Sequence, residues 1–235
     1  PTIGPGSVVV IKVRDPGRLC PRRLRRLISW IHRRVDTAIA IHMESPTSSD
    51  SLRVAMYAYY AGARAILIGD EPIRPALWKY LADPLDVAGD LASWVRRRRR
   101  VSNDVIRLVE GIVREAPRHG SFKSLLAHLD VPPRTLRHAL DAAKLPEPSK
   151  WYHLGRHLYA QTRLLRDPGL DVADVARELG YADRMSFTNR VYRMFGFTAE
   201  KSRQLLGWEW RFAHWWRRAH DDSKSDAAEF CRAGF

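Results

Sequence analysis

Cysteine is almost absent from this chain, with only Cys20 and Cys231 in 235 residues. Two thiols cannot build a disulfide framework or a Cys-rich zinc site, and they suit a reducing compartment. No apolar run approaches the ~18 residues of a membrane span. The N-terminus also lacks a basic segment leading into a signal-like apolar core, so a cytoplasmic protein is expected. Clustered carboxylates are missing from the strand-like segments, which leaves a metal-dependent nuclease or transposase without ligands. Gly4-Pro5-Gly6 precedes the first β-branched run instead of following it, so it is not the Gly-rich turn of a dinucleotide site. No enzyme, catalytic residue, cofactor or metal ligand is therefore expected.

Acidic residues are scarce relative to basic ones. The chain holds 40 Lys+Arg against 26 Asp+Glu, for a net charge of +14 and a pI near 10.4. Such a surface favours polyanions through counterion release. The excess is uneven: residues 1–100 carry 18 basic and 9 acidic side chains, and residues 101–235 carry 22 and 17. Arg96 to Arg100 supply five of these charges. The run suits phosphate or the minor groove, and equally a solvated linker or helix end.

The first hundred residues read as a small α/β domain. Ser7 to Val13, Thr37 to Met43 and Ala65 to Gly69 are β-branched or apolar runs of the kind found in buried parallel strands. Arg22 to Val35 and Ser51 to Ala61 carry apolar residues at helical spacing between them. Strand–helix–strand–helix–strand implies a parallel sheet with right-handed crossovers. Residues from about Arg74 to Arg97 read as helical, with a break near Asp83-Pro84. Lys12-Val13-Arg14-Asp15-Pro16-Gly17 and Ala61-Gly62-Ala63-Arg64-Ala65-Ile66-Leu67 give this segment a resemblance to the second half of a response-regulator receiver domain. The resemblance is to a truncated, degenerate copy. Lys12 stands at the phosphoacceptor position, His42 at the Ser/Thr position and Gly69 near the lysine position. Lys12, Arg14 and His42 would meet at the strand ends, with Asp70 and Glu71 at the same edge to pair with them. A sheet this small needs cover, from the helical part of the chain or from a second copy.

The most informative segment runs from Gly180 to Gly196. It reads as a turn followed by a helix of about three turns. Phe187, Val191, Met194 and Phe195 point inward at helical spacing. Arg184, Met185, Ser186, Thr188, Asn189 and Arg190 fall elsewhere on the cylinder, and none is a carboxylate. Asp171 to Leu179 is a short amphipathic helix before it, and Gly180 supplies the positive φ that ends that helix. The pair fits a helix-turn-helix, whose second helix enters the major groove.

The pattern Ala176-x-x-x-Gly180-Tyr181-x-Asp183-x-x-x-Phe187-x-x-x-x-x-Arg193-x-Phe195-Gly196-x-Thr198 resembles the second helix-turn-helix of AraC/XylS-type transcription regulators. Ala199 stands where that family usually has proline, and Arg203 falls where its closing arginine belongs. The family carries two such units joined by a long helix. Ser121 to Leu129, a turn at Asp130-Val131 and a helix from Pro132-Pro133 to Leu140 resemble the first unit, with Asp130 where glycine is common. Ser149 to Arg166 fits the joining helix, about 27 Å long.

The resemblance implies an all-α DNA-binding domain following the α/β domain. The expected boundaries are 1–95 for the receiver-like domain, 96–102 for an Arg-rich linker, 103–208 for the DNA-binding domain and 209–235 for a Trp-rich helix and polar tail. It also implies a transcription regulator that reads double-stranded DNA in successive major grooves. Arg184 and Asn189 are the expected base readers, with Arg134, Thr135, Arg137 and His138 in the first unit. Met185, Ser186 and Thr188 adjoin them, and Arg190, Arg193 and Lys201 suit phosphates. RNA polymerase and a second copy of the chain are the further partners considered. Nonspecific or architectural DNA binding is the alternative. Trp208, Trp210, Trp215 and Trp216 are expected to close a core or form a dimer contact more readily than to stack on single strands.

Overall fold

The computed structural model describes residues 7–44, 49–69, 72, 73, 76, 77, 86–167, 169–202, 205 and 207–221. Gly4-Pro5-Gly6, Asp70, Glu71, Asp83-Pro84, Arg203, Cys231 and the polar tail after Asp221 lie outside the described residues. The chain divides into two compact units. The first comprises residues 1–84 and 204–211, and the second residues 85–203 and 212–235.

The first unit is built on a three-stranded parallel sheet, β1 (Val8–Val13), β2 (Ala38–Met43) and β3 (Ala65–Ile68), in the order β1-β2-β3. Helices α1 (Pro21–Arg34) and α2 (Ser49–Ala61) make the crossovers. The three strands and two helices therefore fall where the apolar runs placed them, within a few residues. Every residue of β2 is buried, because the central strand is covered on both faces. Ile39, Ile41 and Met43 pack with Leu24, Ile28, Val54 and Ala58 on one side, while Ala38 and Ala40 meet Ala65, Leu67 and Leu77 on the other. The period-two alternation of a strand separates these sets. Late in the chain the segment around Gly207 returns to this unit. A Cβ on Gly207 would stand 3.2 Å from that of Ala38, and the buried Glu209 pairs with Arg64 at 3.2 Å.

The second unit is helical: α3 (Val87–Arg98), α4 (Asn103–Glu115), α5 (Phe122–Leu129), α6 (Pro133–Ala142), α7 (Pro148–Arg166), α8 (Val172–Glu178), α9 (Arg184–Phe195) and α10 (Ala199–Ser202). A final helix, α11 (Glu209–Asp221), begins in residues of the first unit and continues in the second. Among the described residues, no helix is long and apolar enough to cross a membrane. Arg96, Arg97 and Arg98, expected in a linker, form the last turn of α3, where cations complement the helix dipole. Arg98 lies over the Trp94 ring and Arg99 over that of Trp216.

The core of the second unit is centred on α7. Its Gly155 permits a close approach to the end of α4: a Cβ there would stand 2.5 Å from the Val113 carbonyl oxygen. Trp151 is fully buried and contacts Trp215 with ring centroids 4.6 Å apart. Trp94 meets both Phe212 and Trp216 edge-on. Within this unit the tryptophans of α11 thus pack into a core.

Candidate nucleic-acid interface

Two helix–turn–helix segments flank α7. In the first, Ser121 caps α5 by accepting a hydrogen bond from the Ser124 amide at 3.1 Å. Asp130 then takes the left-handed conformation with φ 49° that ends the helix. Glycine meets this demand without cost and aspartate tolerates it. Pro133 occupies the first position of α6, where its missing N–H costs nothing. Leu136 and Leu140 are buried, leaving Arg134, Thr135, Arg137 and His138 exposed.

The second segment is tighter. Asp171 caps α8, and Val172, Val175, Ala176 and Leu179 are buried. Gly180 has φ 73°, and the Tyr181 amide donates to the Ala176 carbonyl at 2.9 Å, closing the helix end. Asp183 then caps α9, accepting from the Ser186 amide at 2.6 Å. That bond draws the Asp183 carboxyl below its ordinary range. Phe187, Val191, Met194 and Phe195 are buried, the four positions given by the helical spacing. Gly196, with φ 75°, ends the helix.

The outward side of α9 presents Arg184, Met185, Ser186, Asn189, Arg190, Tyr192 and Arg193. Met185, an apolar side chain, is 66% exposed. Thr188 is half-buried, and its hydroxyl has no hydrogen-bond partner among the described residues. Lys201 is exposed on α10, with its ammonium 5.4 Å from the centre of the Phe197 ring. Arg184 is not idle. Its guanidinium donates to Glu200 at 2.5 Å, and each partner holds the other in its charged form. Sequence spacing gave no sign of this pair, because Glu200 follows an intervening turn.

A polar seam joins α7 to the second segment. His157 is fully buried at the middle of α7. Its Nδ1 donates to the His153 carbonyl at 2.7 Å, and its Nε2 accepts from the Tyr181 hydroxyl at 2.8 Å. These two bonds fix the neutral tautomer. Burial pushes its pKa down to about 3. The ring lies parallel to that of Phe187, with centroids 5.9 Å apart, and Tyr181 meets Phe187 edge-on. Arg156 donates to the Leu179 carbonyl, and Arg163 holds both oxygens of Glu178 at 3.0 Å. Arg156, His157 and Arg163 of the joining helix therefore tie down the end of α8 and the turn before α9, at Leu179, Tyr181 and Glu178.

Elsewhere the expected chemistry is modest. In the first unit Lys12 pairs with Glu44 at 2.5 Å, and His42 is buried with Nε2 2.8 Å from the Gly69 carbonyl. Cys20 is exposed at the N-terminus of α1, where the amides of Arg23 and Arg22 lower its pKa.

Comparison with known proteins agrees with this geometry. Residues 125–204, about a third of the chain, match the family described as "Helix-turn-helix domain". A search among curated proteins finds no match. Among solved structures, the chain is similar to the transcriptional regulator CdpR from Pseudomonas aeruginosa at 22% identity. The match covers 78% of this chain and 61% of that one, with a TM-score of 0.36. The likeness at that score is slight, and the matched region spans about three fifths of the longer protein.

Proposed function

We propose that this chain is a sequence-specific transcription regulator that places α6 and α9 in successive major grooves of double-stranded DNA. The observation that supports it most is the division of α9 into two sides. Its apolar side is fully committed to the core, and its outward side offers two amide- or guanidinium-bearing base readers, Asn189 and Arg184, without a carboxylate. Arginine pairs with guanine and asparagine with adenine in that groove. In α6 the matching surface is Arg134, Thr135, Arg137 and His138. Met185, Ser186 and Thr188 line the approach, and Arg190, Arg193 and Lys201 take phosphates.

In this reading residues 103–208 bind DNA, and the sheet unit is a receiver-like domain without phosphotransfer. Lys12 at the phosphoacceptor position is occupied by Glu44. RNA polymerase is the partner expected of an activator, and a second copy of the chain joins through the sheet unit or the Trp-rich segment. The protein acts in the cytoplasm.

Selection of duplexes bound by the full chain from a random pool tests the proposal. Enrichment of a site with two elements about 10 base pairs apart supports it. Uniform recovery of all sequences, with a steep dependence on salt, overturns it in favour of nonspecific binding.

A further inference from the structure

Glu115, His119 and His128 stand together in the helical unit, none of them among the residues of α9. One ligand atom from each lies within 4.8 Å of the others. Glu115 ends α4, His119 follows the 3-10 turn Ala116–Arg118, and His128 sits in the last turn of α5. The two imidazole centroids are 4.9 Å apart, and His128 Nε2 is 3.9 Å from Glu115 Oε2. His119 Nδ1 lies 3.1 Å from the Ser124 hydroxyl. A metal-bound histidine characteristically has its other nitrogen held in this way. The His119 carbonyl in turn accepts from the Tyr152 hydroxyl at 2.9 Å, which anchors the backbone of this turn to α7.

We propose that these three side chains bind a divalent transition metal, of which Zn²⁺ is the best fit. Two imidazoles and one carboxylate exclude Mg²⁺ and Ca²⁺, which prefer oxygen donors. Metal–ligand bonds of 2.0–2.1 Å at tetrahedral angles bring ligand atoms to about 3.3 Å. The cluster therefore has to contract by roughly half an ångström to an ångström and a half. His128 is exposed and can swing that far, and water completes the coordination. Arg118 competes: its guanidinium holds both oxygens of Glu115, at 3.0 and 2.7 Å. Its side chain is 73% exposed, so the metal can displace it. Bound metal would clip the first helix of the first helix-turn-helix to the end of α4. This inference does not depend on the DNA-binding reading.

The test uses the tag-free full chain after chelator treatment, titrated with Co²⁺ and with Zn²⁺ in competition against an indicator. The expected result is one ion per chain, with visible Co²⁺ bands of low coordination number. His119→Ala and His128→Ala should each weaken binding by at least ~10-fold, the scale set even by outer-sphere partners. Arg118→Ala should tighten it severalfold. His128→Ala, at an exposed position, retains the fold if His119→Ala does not, as far-UV circular dichroism checks. No binding, or binding indifferent to His128, overturns the site. Tightening absent in Arg118→Ala removes Glu115 from the ligand set and overturns the three-ligand assignment.

Discussion

The Tyr181 hydroxyl donates a 2.8 Å hydrogen bond to Nε2 of His157, a fully buried imidazole in the middle of the joining helix. The bond couples the turn that sets the direction of α9 to the helix on which both helix-turn-helix segments rest. Tyr181→Phe keeps the aromatic packing on Phe187 and strands a buried acceptor. The expected cost is about 1–3 kcal/mol. Denaturant unfolding monitored by circular dichroism measures it, and a variant within a few tenths of the parent would show the bond to be dispensable.

The same histidine makes stability depend on pH. Burial lowers its pKa to about 3 in the fold, against an ordinary value of 6.5. The unfolded chain therefore binds the additional proton between these values. Stability is fully present above pH 6.5 and is lost as the pH falls from there towards about 3. The slope approaches ~1.4 kcal/mol per pH unit. His153, also pushed down by burial, to about 4, adds in the same direction. A His157→Leu/Tyr181→Phe double variant should show a shallower loss between pH 6 and 4.5 than the parent in parallel urea titrations. Identical slopes would contradict the assignment.

Gly155 tests the packing of α7 on α4 separately from any DNA contact. A methyl group there meets the Val113 carbonyl oxygen at 2.5 Å and its Cα at 2.9 Å. Backbone cannot yield as a flexible side chain does. Gly155→Ala, although favourable for helix propensity, is expected to destabilise by about 1–3 kcal/mol. A lowered melting temperature is the readout, and an unchanged or raised one would refute the close approach.

The Arg184–Glu200 pair predicts a gain of function. Glu200 holds the guanidinium that DNA would otherwise take. Glu200→Gln should raise affinity for a selected duplex severalfold, and the gain should vanish in an Arg184→Ala background. Fluorescence anisotropy on all four proteins settles this, since equal gains in both backgrounds would mean only a change in overall charge.

Asn189→Ala should erase discrimination at one base pair, by about 1–3 kcal/mol, with little change on scrambled duplex. An equal loss on both duplexes would make Asn189 a backbone contact.

Much of this was legible in the residues. The apolar period of α9 gave Phe187, Val191, Met194 and Phe195, and Gly180 announced its positive φ. Strand runs such as Ala38–Met43 were plain because a central strand is apolar on both faces. Pairings across turns were not legible. Neither Arg184 with Glu200 nor His157 with Tyr181 has a sequence spacing that signals contact. The proposed metal ligands were equally hidden, since Glu115 ends one helix, His119 follows the short turn after it and His128 comes from the next helix. The arginine run suits a linker and a helix end alike, because charge alone cannot distinguish a linker from the last turn of a helix.

Glu209 completes the sheet unit by pairing with Arg64, a residue about 145 positions earlier in the chain. At synthesis rates of about 5–20 residues per second, Arg64 waits roughly 7–30 s for that partner. The helical residues between them are made entirely within that interval. On the ribosome, then, the sheet unit is begun first but cannot be completed until residues 85–203 of the helical unit have been made, and only residues 212–235 of that second unit follow it.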